Sequence, residues 1–272
     1  FEVIIINDGS TDSSLKKITT LKSKYNNIVL VDLSRNFGKE AALTAGIDLA
    51  KGDAVIPIDS DLQDPPELIN KLIKSWEDGF EIIEAKRINR NSDFFFKKTS
   101  ARLFYLILNL LSNNKISSNV GDFRLMNRNV VNNIKKLDER NRYMKGILSW
   151  PGFKKNFVNY EREKRIAGKT KFNFLKLLHL AIDGITSFSI APLKIISFLG
   201  FIGIIISIIF VFIILIQKFF LENLITGYAF LIFVLLFFGS IQLLSLGIIG
   251  EYIGKIYFEV KKRPIYIIRK IY

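Results

Sequence analysis

Asp59-Ser60-Asp61 is the element of this chain whose residue types and spacing speak most directly of chemistry. It follows a strand-like run, Asp53 to Ile58, and leads at once into Gln63-Asp64-Pro65-Pro66-Glu67. Two carboxylates one residue apart at a strand end can hold a hard divalent cation and leave positions open for phosphate oxygens. Mg²⁺ in particular favours one or two carboxylates plus substrate phosphates. A D-x-D alone is common in polar loops, so its weight comes from that strand-end position. Other reactive groups are few. With no Cys there is no disulfide, thiol nucleophile or Cys-ligated zinc. The single His, His179, excludes a His-rich metal site and reads as a structural or interfacial residue.

The elements that must carry this motif alternate. Phe1 to Ile6 reads as a strand ending in the turn signal Asn7-Asp8-Gly9-Ser10. Thr11 or Asp12 can cap a helix over Ser13 to Tyr25. Ile28 to Leu33 is a second strand. Lys39 to Lys51 is a helix with Ala42, Leu43, Ala45, Gly46, Leu49 and Ala50 on its packed side. Asp53 to Ile58 is a third strand, Pro65-Pro66-Glu67 opens a helix to Trp76, and Phe80 to Ala85 is a fourth strand. Such alternation implies an α/β layer with a largely parallel sheet. Ligands of these sheets bind beyond the carboxyl ends of strands, where Asn7-Asp8 and Asp59-Ser60-Asp61 both fall.

Composition supplies a second theme. The chain has 272 residues, a net charge of +14 and 49% hydrophobic residues. Its mean hydropathy of +0.26 is high for a basic soluble protein. Disordered, collagenous and disulfide-rich classes are excluded. Two uncharged runs, Ile195 to Ile216 and Ile225 to Gly250, each exceed the roughly 20 residues needed to cross ~30 Å of hydrocarbon. The short connection, Gln217 to Leu224, makes them a hairpin. Lys255, Lys261, Lys262, Arg263, Arg269 and Lys270 follow, and that basic bias places the tail and the preceding domain on the cytoplasmic side. Phe94 to Leu111 and Phe172 to Phe188 read as amphipathic interfacial helices, with Lys97, Lys98, Arg102 and Lys176 facing anionic headgroups. The charge suits a nucleic acid, an anionic membrane or phosphorylated substrates. No aromatic-basic nucleic-acid module is present, so nucleic acid is excluded as a partner.

INDGSTD (Ile6 to Asp12), SRNFGKEAAL (Ser34 to Leu43), DSDLQDPPE (Asp59 to Glu67), VGDFRLMNR (Val120 to Arg128), RIAGKTKF (Arg165 to Phe172) and GEYIGKIYFEVKKRPIY (Gly250 to Tyr266) occur in that order. Together they resemble family-2 glycosyltransferases of the polyprenyl-phosphate type, a group that includes bactoprenol glucosyltransferases and dolichyl-phosphate mannose synthases. The resemblance runs through the whole chain, and the two-span hairpin and RP-Y tail favour the bactoprenol branch. It implies a GT-A-type, Rossmann-like nucleotide-diphospho-sugar transferase domain over residues 1–165. A phosphate-binding loop and interfacial helix over 166–192, two transmembrane helices over 193–250 and a basic cytoplasmic tail over 251–272 would follow. The family opens with a further strand and a Pro-x-Tyr-Asn-Glu type loop. This sequence begins at Phe1 without them and reads as an N-terminally incomplete domain.

The resemblance also implies roles. Asp8, Asp59 and Lys39 would contact the nucleotide, with Asn7 standing where the family has Asp. Asp59 and Asp61 would hold Mg²⁺ or Mn²⁺, Asp61 more directly. Asp122, Asp61 and Arg124 would serve catalysis, and Arg124, Arg165, Lys169 and Lys171 would grip the phosphates and the acceptor. The implied reaction moves a sugar, glucose in this branch, from a UDP-linked donor to undecaprenyl phosphate with inversion. The enzyme would be a multi-pass protein of the bacterial inner (plasma) membrane, in contact with membrane lipid and assembled as a homo-oligomer, a tetramer in the bacterial branch. A lipid phosphate is already anionic at neutral pH, its second pKa being about 6, so Asp122 is either a base or an orienting group. Two alternatives stand beside this. A processive polysaccharide synthase would need a Gln-x-x-Arg-Trp motif and more spans, neither of which is visible. A non-catalytic nucleotide-sugar-binding membrane protein sits poorly with an intact D-x-D and basic loop. Mannose or aminoarabinose transfer to the same class of acceptor is the nearer variant.

Overall fold

The computed structural model describes residues 1–61, 63–88, 120–140, 142, 144–161, 186, 189–220 and 227–272. The first three strands are β1 (Val3–Asn7), β2 (Ile28–Leu33) and β3 (Ala54–Val55). They alternate with α1 (Ser14–Lys22), α2 (Lys39–Leu49) and α3 (Leu68–Glu77). Next come β4 (Ile82–Arg87), β5 (Val120–Asn127), α4 (Arg128–Ile134), α5 (Met144–Ile147) and β6 (Lys155–Tyr160). Two long helices, α6 (Ala191–Phe220) and α7 (Tyr228–Val260), precede a last strand, β7 (Ile268–Ile271).

Strands and helices alternate as expected, with local corrections. β3 keeps two residues of the expected six, because Pro57 has no N–H to continue a ladder. Asp12, not Thr11, supports the start of α1, accepting from Ser14 N at 2.9 Å. The buried residues of α2 are Ala41, Thr44, Ala45 and Ile47, a face rotated from the expected one. The carbonyls of Pro65 and Pro66 accept from Leu68 N and Ile69 N and so start α3.

The sheets are mixed rather than largely parallel. One has the order β1-β2-β7 and the other β3-β5-β4-β6. β1 with β2 and β4 with β6 are parallel; β2 with β7, β3 with β5 and β4 with β5 are antiparallel. The antiparallel partners β5 and β7 lie outside the strand-helix-strand run on which the parallel expectation rested.

Strand alternation divides the core. Ile82 and Met126 face one way, onto Ile47 of α2, Val130 and Val131 of α4 and Met144 of α5. Their neighbours Ile83 and Leu125 face the other way, onto Leu68 and Leu72 of α3 with Phe123 and Tyr160. Each such aliphatic side chain contributes about 1.5–3 kcal/mol on burial, which fixes β4 and β5 as the rigid centre beneath the candidate site.

α6 and α7 are 30 and 33 residues long. Both contain segments long and apolar enough to cross a membrane, Ala191–Ile209 and Phe237–Val260. Phe198, Phe201, Phe212 and Leu243 on them are exposed, a density of apolar surface that soluble proteins rarely present. The expected interfacial stretches, Phe94 to Leu111 and Phe172 to Phe188, fall outside the described residues except for Thr186.

The helix runs past the boundary expected at Gly250, and the basic stretch 251–272 holds regular structure of its own. α7 runs on to Val260, and the chain turns at Lys262, whose φ of 47° is left-handed. It then returns to the first sheet, where β7 caps the edge of β2. Ser34 N donates to Ile267 O at 2.9 Å, Tyr272 N donates to Leu30 O at 2.9 Å, and the Tyr266 hydroxyl donates to Asp48 Oδ2 at 2.9 Å. The apolar pattern Ile265-Tyr266-Ile267-Ile268 carried this signal, but the flanking lysines and arginines masked it.

Burial, and then the hydrogen bond to Asp48, push the Tyr266 hydroxyl up to about 12 from an ordinary 10.0. A folded value above the unfolded one means stabilisation that is complete below pH 10.0 and lost as pH rises to about 12. Urea denaturation of the full chain in micelles should show Tyr266→Phe less stable than wild type at pH 8, with the gap closing by pH 12.

Candidate active site

The site is assembled at the ends of β1 and β3 and along β5. At the end of β1, Asn7 lies in register with Asp32 of β2, and its amide donates to Asp32 Oδ1 at 2.7 Å. Both residues are buried. A carboxylate at position 7 would oppose Asp32 charge to charge; the amide converts that repulsion into a hydrogen bond. Asn7 therefore supports the strand pair and does not present its amide to a ligand.

Asp8 reaches across to the loop before α2. Its two oxygens accept from Phe37 N at 2.7 Å and Gly38 N at 2.9 Å. The loops approach so closely that a Cβ on Gly9, whose φ is +64°, would lie 2.5 Å from Asn36 N. Gly38, with φ +97°, then turns the chain into α2. Asp8, expected to contact a nucleotide, thus holds the turn that presents Lys39.

Lys39 is the centre of the site. Its ammonium lies 2.8 Å from Asp59 Oδ2 and 2.8 Å from Asp122 Oδ2. Three expected site residues, widely separated in sequence, are thereby brought together. Burial opposes the Lys39 charge, but Asp122 and Asp59 outweigh it and hold its pKa above the ordinary lysine value. Burial likewise opposes the Asp122 carboxylate, but Lys39, then Lys145 and Arg124, keep its pKa below the usual range. Glu40, on the next position of α2, is raised by burial and by Asp122.

Asp61 begins a tight turn, its Oδ1 accepting from Gln63 N at 3.2 Å. The rest of that loop is pinned by Asp64, which is buried and accepts from the Tyr160 hydroxyl. Arg87 Nε donates to the same hydroxyl at 3.2 Å. Burial, and then the Asp64 bond, push Tyr160 up to about 12. The D-x-D loop is therefore fastened to β4 and β6 from beneath.

Arg124 corrects an expectation. It is 2% exposed and lies in register with Glu84 across β4 and β5. Its guanidinium donates to Glu84 Oε1 at 2.9 Å and to Gly121 O at 2.8 Å. Both terminal nitrogens make these inward bonds, and burial of the whole side chain keeps it from a phosphate at the surface. Glu84 Oε2 and Arg124 Nε have no partner among the described residues. Arg165, Lys169 and Lys171 lie outside the described residues.

Sequence reasoning missed a neighbouring cavity. About 760 Å³ in volume, it lies between the start of α2 and the second half of α7. Phe37, Glu40 and Ala41 line one side, Gly247, Gly250, Gly254, Lys255 and Phe258 the other, and Arg140, Arg142 and Arg263 contribute the basic lining. Arg140 N donates to Glu259 Oε1 at 2.7 Å and its guanidinium to the Arg263 carbonyl, tying this wall to the end of α7. The dense run DERNR (138–142) and KKR (261–263) were the available signals.

The donor set suits a hard cation: Asp59, Asp61 and Asp122 offer only oxygen. Among the described residues no group of three or more His, Cys, Asp or Glu is placed to hold an ion; Mg²⁺ favours one or two carboxylates together with substrate phosphates.

A model of glycosyl transferase family 2 matches residues 1–135. An uncharacterized glycosyltransferase of Synechocystis is 47% identical over 272 residues, spanning 100% of this chain and 86% of the relative. The chain belongs to glycosyl transferase family 2. The prophage bactoprenol glucosyl transferase homolog of Escherichia coli is 48% identical over 270 residues, covering 99% of this chain and 88% of the relative. The bactoprenol glucosyl transferase of Shigella phage SfII is 49% identical over 269 residues, covering 99% and 87%. Membership establishes a glycosyltransferase with the GT-A, Rossmann-like α/β fold, as expected. It implies a nucleotide-sugar donor, and enzymes of the family generally use divalent cations. The two apolar helices together with these relatives indicate membrane association.

If Arg124 is scaffold and not a phosphate clamp, Glu84→Ala should cost about 3–5 kcal/mol in urea denaturation, because it leaves a buried guanidinium unpaired. The double variant Glu84→Met/Arg124→Met should recover most of that loss.

Proposed function

We propose that this family-2 glycosyltransferase moves glucose from a UDP-linked donor to undecaprenyl phosphate with inversion, at the cytoplasmic face of a bacterial inner membrane. The carrying observation is adjacency. Lys39 of the Lys39–Asp59–Asp122 cluster is flanked in sequence by Phe37, Glu40 and Ala41, which line a cavity with more basic than acidic residues whose far wall is α7, one of the two apolar helices. A donor diphosphate and a lipid phosphate can meet there without the lipid tail leaving the bilayer.

Asp59 and Asp61 would hold Mg²⁺ or Mn²⁺, which supplies positive charge against the diphosphate that leaves as the sugar C1–O bond breaks. Arg140, Arg142 and Arg263 line the cavity where the acceptor phosphate would enter and would supply positive charge against it. Arg165, Lys169 and Lys171 remain candidates for the same task. Asp122, held ionised beside Lys39, orients the acceptor; a strong base is not required, since a phosphate monoester with a second pKa of about 6 is already anionic. Attack from the face opposite the leaving group inverts the anomeric centre. α6 and α7 would cross the membrane as a hairpin, and a homotetramer is the proposed assembly.

The test incubates the full-length enzyme in micelles with undecaprenyl phosphate and a panel of nucleotide sugars, then weighs the lipid product. A hexosyl-phosphoundecaprenol formed from UDP-glucose is expected, with Asp61→Ala lowering the rate about 100-fold or more. No lipid product from any donor would overturn the proposal.

A further inference from the structure

Lys39 is more firmly placed than a neutralising lysine needs to be. Asp8 clamps the backbone at Phe37 and Gly38, the two residues before it. Its ammonium joins the end of the D-x-D strand to the middle of β5 through two contacts of 2.8 Å. The side chain is still 52% exposed, so a ligand can reach it, and its four-carbon stem can move to a new partner.

The carboxylate oxygens that Lys39 holds are the same hard donors that a divalent cation needs. A cation drawn to Asp59 or Asp122 meets an ammonium at contact distance, and the two repel strongly in a partly buried site. A nucleoside diphosphate changes that balance. Its oxygens can accept the ammonium and complete the shell of the cation, which frees the carboxylates.

We propose that Lys39 is an internal counter-cation that makes divalent-metal binding at Asp59-Ser60-Asp61 conditional on a nucleoside diphosphate. The inference rests on the metal-assisted glycosyl transfer proposed above and specifies the order in which its parts assemble. Binding in this order keeps a loosely held metal from occupying the site without donor.

Electron paramagnetic resonance of free Mn²⁺ tests it on the full chain in micelles, with and without UDP, against a UDP-only blank. Wild type should bind Mn²⁺ at least tenfold more tightly with UDP than without. Lys39→Gln should bind Mn²⁺ alone at least tenfold more tightly than wild type, and its dependence on UDP should shrink to match. Lys39→Arg, which keeps the positive charge, should behave as wild type. A Lys39→Gln protein that binds Mn²⁺ alone no more tightly than wild type overturns the inference and leaves the glycosyl-transfer reading intact. So does a wild type whose Mn²⁺ affinity ignores UDP, a result that needs no variant. A wild type that binds no Mn²⁺ even with UDP overturns the inference and the metal assignment together.

Discussion

One ammonium between two carboxylates is the interaction on which the candidate site depends. Lys39 must stand at the first turn of α2 to reach both Asp59 and Asp122. That placement requires the left-handed glycine before it, the Asp8 clamp on the loop backbone, and a glycine at position 9 where the loops nearly touch. Each of these residues belongs to a motif that reads, in sequence, as ligand binding. In the structure each of them also has a mechanical task, holding the loop that presents Lys39.

The same kind of support runs beneath the site. Asp122 projects from β5, and two residues on along the strand Arg124 is locked to Glu84 of β4. A buried ion pair whose remaining oxygen and nitrogen find no partner among the described residues contributes little net stability over an apolar pair. Its value lies in register: sliding β5 past β4 would separate the two charges in a dry interior. Tyr160 and Asp64 perform the same service for the D-x-D loop from the opposite edge. At the C-terminus, β7 closes the open edge of β2, and Tyr266 bonds Asp48 of α2, so the segment after α7 is tied to both sheet and helix. The apolar helix and the catalytic domain are thereby parts of one scaffold, which suits an enzyme whose acceptor is held by a membrane.

Much of this was legible in the residues. β2 is found at its expected limits, α2 within two residues and α3 within three of theirs, and the two apolar runs are long helices. Short-range signals of period and punctuation were sufficient for these. The meeting of Asp59, Lys39 and Asp122 was legible only as three separate motifs, because the contact depends on how β3 and β5 pair. Arg124 was misread for a related reason. Its partner is the residue opposite it on another strand, and strand register is set by packing across the whole sheet. β7 escaped notice because its alternation is brief and lies among lysines and arginines, and the cavity at Arg140, Arg142 and Arg263 because three chain segments converge to form it.

The central claim is that Lys39 and Asp122 are energetically joined. A double-mutant cycle with Lys39→Gln and Asp122→Asn, read by urea denaturation in micelles at pH 7, measures that coupling directly. A coupling of at least about 1 kcal/mol is the expected result for charges in direct contact at a partly buried site. Additivity within about 0.3 kcal/mol would mean that the two residues act independently, and would contradict the account.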